Sequence, residues 1–83
     1  MRALSFTARL NGRGTLLHWR MGSEAGLLGY VVERNGVRLN GALILAGRGS
    51  YSFRDRRPGL RPRYTLFAVG LDGRRVRLAT AAA

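Results

Sequence analysis

The sequence predicts an all-β fold built from short strands, and three observations carry that expectation. Apolar residues recur at a two-residue period in nearly every segment, and no segment sustains a 3.6-residue period. Short apolar runs are separated at regular intervals by Gly, Pro, Asn and Asp. Asn35-Gly36 and Asp72-Gly73 are tight-turn signals, because a type I′ turn needs positive φ at both central residues. Regular spacing of this kind fits a β-sandwich or a small barrel.

Seven β-like runs follow in order. Leu4–Leu10 alternates Leu4, Phe6, Ala8 and Leu10 against Ser5, Thr7 and Arg9, and Asn11–Gly14 then reads as a hairpin turn. Thr15–Met21 sets Leu17 and Trp19 on one face and Leu16, His18 and Arg20 on the other. Leu28–Arg34 follows a short connection and sets Tyr30 and Val32 inward. Val37–Ala46 follows the Asn-Gly turn, with an interruption expected at Asn40-Gly41. Ser50–Arg54 carries Tyr51 and Phe53, and Arg56–Pro62 is a basic loop. Arg63–Leu71 alternates Tyr64, Leu66 and Ala68 against Thr65, Phe67 and Val69. Arg74–Thr80 alternates Val76, Leu78 and Thr80 against Arg75, Arg77 and Ala79.

The 83 residues make one domain, residues 1–83. A domain of this size buries roughly 60–65% of its unfolded surface, so its stability is modest. The apolar fraction of 46% is enough for one core. No cysteine is present, which excludes disulfides and thiolate metal sites. Fifteen arginines and no lysine face four acids, Glu24, Glu33, Asp55 and Asp72, for a net charge of +11. Codon choice in a GC-rich genome accounts for Arg over Lys, but not for the excess of base over acid. That excess predicts attraction to an acidic partner or surface. The apolar runs are too short for a transmembrane helix, and the start MRALSFTARLNGRG lacks the apolar core of a signal peptide.

Leu60-Arg61-Pro62-Arg63-Tyr64 has the shape of a tyrosine corner: a Tyr opens a late strand, a Leu lies four residues upstream, and the hydroxyl can bond backbone of the preceding loop. Taken with Trp19 in the second run, the chain resembles a fibronectin type III domain. Such domains resemble one another in a Trp of the second strand, a Tyr-x-Val pair of the third and a Tyr-x-Leu/Val-x-Val/Ala series of the sixth. Here these fall on Trp19, on Tyr30 and Val32, and on Tyr64, Leu66 and Ala68. The chain is more closely similar to the subset found in bacterial exported and cell-surface proteins. Trp19, Ser23-Glu24, Gly29-Tyr30, Glu33-Arg34 and Val69-Gly70-Leu71-Asp72-Gly73-Arg74 carry that likeness, which spans about Phe6 to Thr80. Gly22 and Gly26 depart from it, where the subset often has Ala and Asn. The resemblance implies seven strands in two antiparallel sheets, an extracellular or cell-surface location, and a non-enzymatic role with no cofactor, since the family shares no catalytic residue.

The residues give catalysis little to work with. His18 is the single histidine and lacks the partners that a base or a metal ligand needs, so it reads as solvent-facing. Gly12-x-Gly14 and Gly47-x-Gly49 precede no helix and no Gly-Lys-Ser/Thr, so neither is a phosphate loop. Ser23 reads as a side chain bonding local backbone, and Asp55 as a turn carboxylate near its arginines. Trp19, Tyr30, Tyr64, Phe6 and Phe53 read as core.

Two surfaces remain as candidates for partners. Val31, Phe67 and Val69 lie on the outward parity of neighbouring strands, which reads either as a protein contact or as a stripe covered by arginine stems. The arginines form two groups: Arg54, Arg56, Arg57, Arg61 and Arg63 around the loop before Tyr64, and Arg74, Arg75 and Arg77 on the last strand with Arg34 and Arg38 nearby. They read either as a solvated surface that blocks edge pairing or as the contact for an acidic protein, polysaccharide or nucleic acid. The expectation is a structural or adhesive protein-interaction module, contacting neighbouring domains or copies of itself, with no membrane insertion. A basic nucleic-acid-binding module is the alternative, although no basic helix or aromatic-basic signature accompanies the charge.

Overall fold

The computed structural model of the chain describes residues 2–12 and 14–83. Its elements are β1 (Ala3–Asn11), β2 (Gly14–Met21), β3 (Leu27–Arg34), β4 (Val37–Arg38), β5 (Ile44–Leu45), β6 (Ser50–Asp55), β7 (Arg63–Gly70) and β8 (Arg75–Ala82). All pairings are antiparallel. One sheet has the order β1-β2-β6 and the other β4-β3-β7-β8, with β5 also paired to β3. Among the described residues, no helix is long and apolar enough to cross a membrane.

The all-β expectation holds, with eight strands where seven runs were read. The Val37–Ala46 run divides at Asn40, as its interruption anticipated, and the reason is a buried side chain. Asn40 Oδ1 accepts the Val32 N–H at 2.8 Å, and Nδ2 donates to the carbonyls of Tyr30 and Ala42 at 3.0 Å each. The amide thereby occupies the edge of β3 between its short pairings with β4 and β5, satisfying backbone groups that a continuous strand would otherwise take. Asn35 and Gly36 both adopt positive φ (49° and 85°), as the turn between β3 and β4 requires. The turn expected at Asn11–Gly14 includes Arg13, which lies outside the described residues; Asn11 and Gly14 pair on either side of it.

Both sheets turn their apolar parity toward one shared core. Leu17, Trp19 and Tyr51 come from the first sheet, and Tyr30, Val32, Tyr64, Leu66 and Ala68 from the second. Trp19 is fully buried, stacked on Tyr51 at 5.4 Å and edge-on to Tyr30 at 5.8 Å and Phe6 at 6.2 Å. Phe6 and Phe53 are half-buried against this cluster, so all five aromatic residues read as core pack there.

Two strands depart from simple alternation. A register shift between Ala3 and Ser5 leaves Leu4 exposed and lets Ala3 pack on the core in its place. In β8 a shift opposite Leu66 and Phe67 inserts Leu78 as an extra residue. Beyond it the parity inverts, so Ala79 and Ala81 face Leu66 and Tyr64 while Thr80 pairs with Thr65 on the outer face. An inserted residue shifts every later side chain to the other side of the pleat.

Candidate functional site

The four acids fix where the positive charge is left. Glu24 is drawn inward by the connection before β3. Its carboxylate accepts the Tyr30 and Tyr51 hydroxyls, each at 2.5 Å, and the Gly49 N–H at 2.7 Å. Burial pushes this carboxyl up, but the two tyrosines and the Gly47 and Gly49 amides outweigh it and hold it below the usual carboxylate range. Burial, followed by the bond to Glu24, raises the Tyr30 hydroxyl well above its ordinary value. Sequence reasoning anticipated only that Ser23 would cap its own loop, and Ser23 Oγ does accept the Ala25 N–H at 3.3 Å. The role of Glu24 depends on β6 arriving 27 residues later.

Asp55 closes the other end of the core. It is 5% exposed, and Arg34 Nη1 donates to both of its oxygens at 2.9 Å. The Tyr64 hydroxyl donates to Oδ2 at 2.7 Å and the Arg57 N–H to Oδ1 at 3.2 Å. Burial raises this carboxyl, and the bonds from Arg34, Tyr64 and the Arg57 amide bring it below its ordinary value. Tyr64 is raised, chiefly by burial. This changes the tyrosine-corner reading: the hydroxyl bonds a carboxylate rather than loop backbone, and Leu60, four residues upstream, stands 94% exposed. Arg34 also leaves the second arginine group, because it points between the sheets to Asp55.

Glu33 and Asp72 are taken up at the surface. Arg75 bonds Glu33 at 3.1 Å, and its guanidinium lies 4.0 Å from the centre of the Phe67 ring. Arg74 stands 3.7 Å from Asp72 in the turn before β8. Every acid of the chain is therefore engaged internally.

The apolar stripe is in place but largely covered. Val31 pairs with Phe67 and Gly29 with Val69 across the outer face of the larger sheet. Val31 is only 2% exposed; Phe67 and Val69 are half-buried, with Arg75 over the former. Leu43 approaches from the neighbouring loop, since a Cβ on Gly29 would lie 2.7 Å from Leu43 Cγ. The reading in which arginine stems cover the stripe fits Arg75, and Val31 itself offers no surface.

The first arginine group converges at one end of the molecule. Arg54 projects from the outer face of β6, Arg56, Arg57 and Arg61 lie in the β6–β7 loop, and Arg63 opens β7. Arg9, which sequence reasoning did not single out, joins them: it pairs with Leu16, which pairs with Arg54 on its other side. Only the register of β1, β2 and β6 reveals that neighbourhood. Arg75 and Arg77 lie beside Val69 and Phe67 on β8, Arg74 is in the turn, and Arg38 donates to the Asn40 carbonyl at 2.7 Å. His18 sits on the outer face of β2, half-buried, with Nε2 3.2 Å from Ser50 Oγ. Among the described residues, no group of three or more His, Asp or Glu side chains is placed to hold a metal ion.

Searches of protein-family models, curated proteins and solved structures find no match to this chain.

Proposed function

We propose that this chain is a non-enzymatic, fibronectin type III-like interaction module, with a structural or adhesive role in a bacterial exported or surface assembly. It meets an acidic partner surface through its arginines. The strand orders β1-β2-β6 and β4-β3-β7-β8, with Trp19 on the second strand and Tyr64 on the seventh, support the fold part of this reading. The observation that carries the functional part is the fate of the acids. Asp55, Glu33 and Asp72 are taken up by Arg34, Arg75 and Arg74, and Glu24 by tyrosine hydroxyls and amides, so the net charge of +11 rests on the other arginines. The field outside the molecule is positive, and a guanidinium keeps its charge at any physiological pH.

A nucleic-acid-binding module stands second. The outer face of the β1-β2-β6 sheet presents Arg9, Arg20 and Arg54 among Ser, Thr and His, but no Phe, Tyr or Trp on which bases would stack. The test is affinity for a soluble sulfated polysaccharide across a salt series. Wild type is expected to bind at low salt and release as salt rises, and a double Arg54→Glu, Arg56→Glu variant to bind at least tenfold more weakly. Absence of binding at low salt, or no effect of the double variant, refutes the reading.

A further inference from the structure

One end of the molecule combines charge with exposed apolar side chains in a way that charge alone does not explain. The β1–β2 turn, the β3–β4 turn and the β6–β7 loop all emerge there, since Thr15 pairs with Asp55, and Arg34 pairs with both Val37 and Tyr64. A bare apolar residue stands beside or within each: Leu10 of β1 at 64%, Val37 of β4 at 58% and Leu60 of the loop at 94% exposure. The end of β6 lies against the β1–β2 hairpin, for Arg54 Nη1 reaches the Asn11 carbonyl at 3.5 Å and a Cβ on Gly14 would lie 2.7 Å from the Asp55 carbonyl oxygen.

The loop holds Leu60 outward. Pro58 and Pro62 limit the backbone on either side, and Pro62 is buried against the body of the domain. Arg61 adopts φ 50°, a conformation that costs a residue with a Cβ and that clusters at functional loops. Of the acids nearest this end, Asp55 is buried and paired with Arg34, and Glu33 is bonded to Arg75. What remains is Leu60 between Arg57 and Arg61, with Arg54 and Arg56 beside them.

A soluble polyanion gains from the arginines and nothing from Leu60. An anionic bilayer takes both: arginines meet phosphate and carboxylate headgroups, and leucine enters the headgroup–acyl boundary. Resting on the reading of the arginines given above, we infer that this end of the molecule docks on an anionic lipid surface, with Leu60 and Leu10 as shallow anchors. The domain lies on the membrane and does not span it.

The test compares sedimentation with vesicles of phosphatidylcholine, with and without phosphatidylglycerol, against binding to soluble sulfated polysaccharide. Wild type is expected to bind the polysaccharide and the vesicles that contain phosphatidylglycerol, and not vesicles of phosphatidylcholine alone. Leu60→Ser is expected to lower vesicle affinity about tenfold while leaving polysaccharide affinity and the melting temperature unchanged, because Leu60 makes no core contact. If Leu60→Ser binds vesicles like wild type while both proteins bind polysaccharide, lipid docking is overturned and the arginine reading stands. If wild type binds neither vesicles nor polysaccharide, both fail.

Discussion

Replacing Asp55 with Asn probes the group that closes one end of the core. The amide keeps the shape of the side chain but loses its charge and presents an NH2 where an oxygen accepted Tyr64 or Arg34. The charge-assisted contacts from Arg34, at 2.9 Å to each oxygen, and from Tyr64, at 2.7 Å, are weakened. Hydrogen bonds to charged groups contribute about 1.5–3 kcal/mol each. Arg34 is 24% exposed, so water recovers part of its charge and the cost falls short of a fully buried orphan. The expected loss is about 2–3 kcal/mol, against a total of about 4–12 kcal/mol for a chain of this length. At about 4–8 °C per kcal/mol, the melting temperature drops by about 10–20 °C.

The pH dependence gives the test its sign. The folded pKa of Asp55 lies below its unfolded value of about 3.9. Its contribution is therefore complete above about pH 4 and disappears as pH falls through the lower, folded pKa. The gap between wild type and Asp55→Asn, followed by Trp19 fluorescence during thermal unfolding, is expected to be full at neutral pH and to close in acid. Glu24 titrates in both proteins and cancels from the difference. A gap below about 0.5 kcal/mol at pH 7, within the range of ordinary surface substitutions, would sink the reasoning. So would a gap that stays constant as pH drops.

Other substitutions test the frame. Asn40→Ala strips the Val32 N–H and Tyr30 carbonyl of their partners and is expected to cost about 2–3 kcal/mol, with faster amide exchange at Val32 than at Leu66. Gly29→Ala drives a Cβ to 2.5 Å from the Ile44 carbonyl oxygen, so β5 must leave β3. Urea unfolding is expected to show a loss of about 1–3 kcal/mol, and a wild-type midpoint would contradict the close approach. Trp19→Ala removes the ring that joins Phe6, Tyr30 and Tyr51, at a cost of about 3–5 kcal/mol; a cooperative melt at the wild-type temperature would rule out its central place.

The local rules of the chain settle much of the fold. Side-chain alternation places Leu17, Trp19, Tyr30, Val32, Tyr64 and Leu66 inward, and Asn35-Gly36 marks the turn where φ is positive. These follow from the pleat and from the steric freedom of single residues, which neighbours in sequence decide. The inversion at Leu78 and the bare Leu4 escape such reading, because a bulge is set by the partner strand. The same limit governs function. Composition alone gives an excess of arginine, and spacing alone gathers Arg54, Arg56, Arg57, Arg61 and Arg63 along one stretch. Which acids neutralise which arginines is a matter of distance in space. Arg9 joins Arg54 only through the register of β1, β2 and β6, and Asp55 finds Arg34 only when the two sheets close over one core, because strand pairing, Coulomb attraction and hydrogen bonds act over a few ångströms and ignore the length of chain between.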